Sequence, residues 1–154
     1  MAHRILLIDD DEAVLEVFQM LLTARNYLVD CARDLHEAKT QFEQNEYAAV
    51  IADLSLAHGE PEGLEVLRYV SEYPLRPRIV VCSGYATTDV RDRVLSKGAD
   101  VFLAKPFVFK RLLEELDRLL SDTGAQRVLQ SSNSIGALAQ QVIDAGTAQL
   151  APLS

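Results

Sequence analysis

Three consecutive acids, Asp9, Asp10 and Asp11, a lone Asp53, the pair Ser83-Gly84 and the pair Lys105-Pro106 are the groups in this 154-residue chain best equipped to do chemistry together. Carboxylates gathered at roughly 5 Å repel by about 3 kcal/mol per pair at an effective dielectric of about 20, so a site holding several of them calls for a cation. An all-oxygen donor set favours a hard ion. Mg²⁺ accepts one or two carboxylates, a carbonyl and several retained waters, whereas zinc would want His or Cys. Beside such an ion a carboxylate can attack a phosphoryl group to give an acyl phosphate, provided the transferring oxygens are neutralised. Lys105 can pair with one of those oxygens and the Ser83 hydroxyl with another. Backbone N–H groups near Gly84 can approach because no large side chain blocks them.

These groups must be positioned, and the hydrophobic pattern says how. Arg4-Ile-Leu-Leu-Ile8 is an apolar run too short for a core helix and closed by acids, the mark of a buried strand. Val14, Phe18, Leu21 and Leu22 then recur at helical spacing over 12–25. The alternation continues with strands predicted at 27–32, 48–53, 78–83 and 101–104 and helices at 35–44, near 62–72, 88–97 and 107–120. Gly98 is placed to stop the fourth helix in a left-handed conformation. Strands alternating with helices imply a doubly wound α/β domain, because right-handed crossovers lay helices over both faces of a parallel sheet. In such sheets ligands bind beyond the carboxyl ends of the strands. Asp9, Asp53, Ser83 and Lys105 all fall at or just after a strand end, on that one edge.

The bulk properties narrow the function. With 15 Lys and Arg against 23 Asp and Glu, the formal charge of −8 repels a polyphosphate backbone, which disfavours direct nucleic-acid binding. Cys31 and Cys82 lack the C-x-x-C spacing of metal or redox sites and read as structural thiols. The N-terminus shows neither a secretory segment nor a membrane span, so a cytoplasmic setting is the expectation. One domain is expected at 1–121. The composition then turns linker-like, and the remaining 122–154 carry one amphipathic stretch, 134–145, long enough for a short helix.

Leu-Leu-Ile-Asp-Asp-Asp, Ile-Ala-Asp53-Leu, Val-Cys-Ser83-Gly and Phe102-Leu-Ala-Lys105-Pro106-Phe resemble the four landmarks of the response-regulator receiver family, in its order and spacing, over about residues 3–121. The resemblance implies a flavodoxin-like (βα)5 sheet in the order 2-1-3-4-5. It implies direct Mg²⁺ binding by Asp10 and Asp53, a contact from Asp9 through water, and a ligand from the backbone carbonyl of Ser55. It makes Asp53 the acceptor of phosphate from a sensor histidine kinase or histidine phosphotransfer protein. Ser83 would turn toward the phosphoryl group while Phe102 fills the space it leaves, and the Lys105-Pro106 bond would be cis. The output would be a changed surface, made by the fourth helix, fifth strand and fifth helix, offered to a downstream protein or to a second copy in a phosphorylation-dependent dimer. No output enzyme is expected in the 33 residues that follow.

Single residues also have plainer readings. Asp11 and Glu12 suit the positive end of the first helix better than a metal. Phe102 serves equally as core filling. Tyr85 either shields the phosphoryl group or lies at the mouth of the site. His3, His36 and His58 are expected in solvent. The loop after Asp53 departs from the family pattern: Ala57 and Pro61 stand where a proline and a glycine are usual, and the helix-opening glycine, Gly63, comes two residues late. That leaves loop shape and phosphate lifetime open. Two rival readings are a small phosphohydrolase with Asp9 as nucleophile and Asp11 as acid, and a pseudo-receiver that keeps the fold without phosphorylation. The first lacks substrate-binding insertions, and intact Asp9, Asp10, Asp53, Ser83 and Lys105 weigh against the second.

Overall fold

The computed structural model describes residues 2–54 and 61–121. The expected helix at 134–145, like Ser55 and His58, lies outside them. Five strands and five helices alternate: β1 (Arg4–Ile8), α1 (Glu12–Thr23), β2 (Leu28–Ala32), α2 (Leu35–Gln44), β3 (Ala49–Asp53), α3 (Pro61–Ser71), β4 (Arg78–Ser83), α4 (Thr88–Ser96), β5 (Val101–Ala104) and α5 (Phe109–Ser121). All strand pairs are parallel and the order is β2-β1-β3-β4-β5, the doubly wound arrangement expected. The chain divides into two compact units, Met1–Leu113 and Glu114–Ser154. The first holds the whole sheet. The described part of the second, 114–121, is the continuation of α5 and carries the Glu115–Arg118 ion pair at 2.7 Å.

The middle of the sheet is apolar because both of its faces are covered. Leu6, Val50, Val80 and Val81 are fully buried, and one large cluster joins the sheet to Ala38 and Phe42 of α2, Val66, Leu67 and Val70 of α3, and Val90 and Val94 of α4. Phe42 anchors an aromatic group, with its ring centroid 5.3 Å from Tyr47, 5.7 Å from Tyr69 and 4.7 Å from Tyr73.

Several element ends differ from expectation, and four of them have a clear local reason. α1 closes at Thr23 because Asn26 takes a left-handed φ of 72° and turns the chain into β2. α3 begins at Pro61, the position where a missing N–H costs nothing, so Gly63 lies inside the first turn and does not open the helix. α4 stops at Ser96 before Gly98, whose φ of 120° suits glycine alone. α5 starts at Phe109, and Phe107 instead sets its ring 6.4 Å from that of Phe18 in α1.

Candidate functional site

The β1 end carries the most unusual group. Asp9 is only 6% exposed. Its Oδ1 accepts the Asp11 N–H at 2.9 Å, while its buried Oδ2 has no hydrogen-bond partner among the described residues. Burial, together with the neighbouring Asp53, raises its pKa from 3.8 to about 7 against the pull of the Asp11 N–H and the Lys105 charge. A carboxylate oxygen held in this way suits a cation. Asp11 does something else: as the helix cap it accepts the N–H groups of Ala13 and Val14 at 2.9 and 3.3 Å. Its plainer reading is the correct one. Asp10 is exposed, and with Asp53 it lines a cleft of about 460 Å³ that also reaches Arg33 and His36.

Asp53 ends β3 beside Cys82 of β4, and its Oδ2 is paired with Lys105 Nζ. Burial alone would lower the Lys105 pKa, but the hydrogen bond and charge of Asp53, backed by Asp9, outweigh it and raise it. The ends of β4 and β5 are locked by the Lys105 N–H donating to Ser83 O at 2.9 Å, and the Lys105-Pro106 peptide is cis, as expected. Ser83 is 1% exposed, and its Oγ accepts the Tyr85 N–H at 3.0 Å. A Cβ added at Gly84 would meet nothing within 4 Å, so the space beside it is open. Phe102 is buried within the main core cluster and Tyr85 is 45% exposed. Cys82 is a buried thiol whose pKa burial and the Asp53 charge push up to about 12, consistent with an inert structural role. Cys31 is half-buried, and His3 and His36 are exposed.

The edge therefore gathers Asp9, Asp10, Asp53, Ser83 and Lys105, while the backbone carbonyl of Ser55 lies outside the described residues. Among the described residues no three His, Cys, Asp or Glu side chains form a preassembled metal cluster. None is required for Mg²⁺, which keeps waters and needs few carboxylates.

A family model described as the response regulator receiver domain matches residues 5–117. The chain belongs to the response-regulator receiver family. Curated relatives include the regulatory protein VanRB of Enterococcus faecalis, 32% identical over 81% of this chain and 56% of that protein. The response regulator MprA of a Mycobacterium species is 34% identical over 80% of this chain and 53% of that protein. The receiver thus spans about half the length of these relatives. A CheY-like receiver domain from Methanospirillum hungatei superimposes with a TM-score of 0.72 at 25% identity, over 82% of this chain and 99% of that one. A Thermotoga maritima response regulator shares the fold with a TM-score of 0.69 at 21% identity, over 79% and 99% of the two chains.

Two features of this receiver escaped the sequence reading. Arg33 bridges Glu12 of α1 and Glu37 of α2, each at 3.0 Å, and so forms one wall of the cleft beside Asp10. Only the cap beside that bridge was legible: in Asp34-x-x-Glu37 Asp34 caps the Glu37 N–H at 2.8 Å, while Glu37 reaches the Arg33 N–H at 2.7 Å, one residue before the one a capping box would engage. The Ser83–Tyr85 hydrogen bond had no signature beyond a hydroxyl two residues from an N–H. Among the described residues, no helix is long and apolar enough to cross a membrane.

Proposed function

We propose that this receiver is a phospho-acceptor switch in which Asp53 takes a phosphoryl group from a histidine kinase or histidine phosphotransfer protein in the cytoplasm. The observation that carries the reading is the pairing of Lys105 with Asp53 beside a buried Asp9 oxygen that has no hydrogen-bond partner among the described residues. Asp9, Asp10 and Asp53, with the Ser55 carbonyl, would hold Mg²⁺. The all-oxygen donor set and the orphaned Asp9 Oδ2 fit that ion. When bound, it supplies positive charge against the phosphoryl oxygens.

The chain's own groups do the rest. The Asp53 carboxylate attacks phosphorus, the O–P bond forms as the phosphorus–nitrogen bond of the donor breaks, and the leaving imidazole takes up a proton. Lys105 passes from the carboxylate to a phosphoryl oxygen, a charge-assisted contact. The Ser83 hydroxyl leaves the Tyr85 N–H to reach another, Phe102 shifts into the space vacated, and the changed surface is read by a downstream protein or a second copy.

Loading with phosphoramidate followed by peptide mapping tests the assignment. The label is expected on Asp53, reduced to background in Asp53→Asn and after magnesium is chelated. Label on Asp9 would instead favour the phosphohydrolase reading and sink this one.

A further inference from the structure

The β2 strand is an edge of the sheet, and its outward hydrogen-bonding groups are identified by the register. Leu28 N–H donates to His3 O at 2.9 Å and Asp9 N–H to Ala32 O at 3.0 Å, so residues 28, 30 and 32 bond inward to β1. Val29 and Cys31 therefore turn their N–H and C=O groups outward. Both outward carbonyls are occupied by glutamine side chains, one from each flanking helix. Gln19 of α1 donates to Val29 O and Gln41 of α2 to Cys31 O, each at 3.3 Å. The Oε1 of Gln41 lies 3.3 Å from the Tyr47 hydroxyl, whose proton goes to Asp30.

We infer that Gln19 and Gln41 hold closed a β2 edge that would otherwise add a strand from a second copy of this chain. Among the described residues, β2 itself carries few of the usual safeguards of an edge. Its sequence, Leu-Val-Asp-Cys-Ala, contains neither proline nor lysine, and its pairing with β1 runs without a bulge. Its only charge is neutralised: Asp30 is held by Arg4 at 2.9 Å and by the Tyr47 hydroxyl at 2.7 Å. Leu28 stands 47% exposed at one end. The edge is also self-complementary. In an antiparallel pairing about a twofold axis, Val29 and Cys31 face the second copy's Cys31 and Val29, and their outward groups satisfy one another. Arg4 cancels the repulsion between the two Asp30 carboxylates that this register brings close. With the carbonyls taken by glutamine amides, the incoming N–H groups must compete for acceptors already in use.

The full chain carrying Gln19→Leu and Gln41→Leu, which keep most of the side-chain bulk and remove the donors, tests this by light scattering over a concentration series without phosphodonor. The expected result is a mass that rises toward twice that of the wild type while circular dichroism stays native. Adding Val29→Pro should return the mass to the wild-type value, since the N–H it deletes faces outward and bonds nothing in β1. A folded double variant with wild-type mass at every concentration overturns the inference, as does a rise in mass that survives Val29→Pro. If the double variant does not fold, the single variants carry the same readout, each exposing one carbonyl.

Discussion

Asp9→Asn should make the protein more stable at pH 8 without magnesium, and should remove a pH dependence that the wild type shows. The Asp9 carboxyl is buried with one oxygen unpartnered among the described residues, and its pKa is raised from 3.8 to about 7. Between those values the folded chain keeps a proton that the unfolded chain has lost. Stability therefore falls as pH rises from about 4 to about 7 and is level above that. At about 1.4 kcal/mol per pH unit the full interval is worth about 4 kcal/mol. Solvent at the rim of the cleft screens part of it, which leaves an expected loss of about 2 kcal/mol. The neutral amide escapes the cost of burying a charge.

Urea unfolding at pH 5 and pH 8, with chelator and with millimolar Mg²⁺, measures the difference directly. Because pH 5 to pH 8 spans only about two-thirds of that interval, the wild type in chelator should lose about 1.3 kcal/mol more than Asp9→Asn between the two pH values. Mg²⁺ should restore most of that loss at pH 8, where the carboxylate it binds is charged, and little at pH 5. Equal pH slopes in the two proteins would refute the reasoning, because the buried charge would then cost nothing. An equal response of both proteins to Mg²⁺ would remove Asp9 from the metal site.

Gly98→Ala should lower stability by more than about 1 kcal/mol, since the new Cβ would lie 2.5 Å from Ser71 Cβ on a backbone with φ of 120°. Pairing it with Ser71→Gly should recover the part due to the clash and leave the part due to the backbone, as thermal melts of the single and double variants would show. Tyr47→Phe should cost about 1–2 kcal/mol in urea unfolding, because Asp30 loses a 2.7 Å hydrogen bond yet keeps Arg4. A neutral Tyr47→Phe would mean that Arg4 alone satisfies that carboxylate.

The fold was legible because the strands are short apolar runs with polar punctuation. Arg4–Ile8, Arg78–Ser83 and Val101–Ala104 have the ends expected from their residues alone. Helix ends were less legible where a single backbone conformation decides them. Nothing in the type of Asn26 required a φ of 72°, and Pro61 was read as part of a loop when its missing N–H made it a fitting first residue of α3. Asp9, Asp53, Ser83 and Lys105 could be placed on one edge because a strand's last residue has a fixed position in a parallel sheet. The partners of those groups could not. Which Asp9 oxygen is orphaned, and that Ser83 is already engaged by Tyr85, depend on side-chain rotamers and loop paths for which spacing has no code.

That unread part bears on how a switch would work at this site. Asp9 is raised toward protonation, Asp53 is tied to Lys105, and Ser83 is tied to the Tyr85 N–H, so four of the groups proposed to meet the phosphoryl oxygens or the metal are already committed or disfavoured. Phosphorylation then gains only the difference between the new contacts and the old ones. Such a balance lets one covalent group shift a population between two surfaces, because a resting state held by a few hydrogen bonds lies within the few kcal/mol that a phosphoryl group can move. A site with free, unpaired groups would bind phosphate more tightly but would have no resting arrangement to abandon, and so no second state for a partner to read.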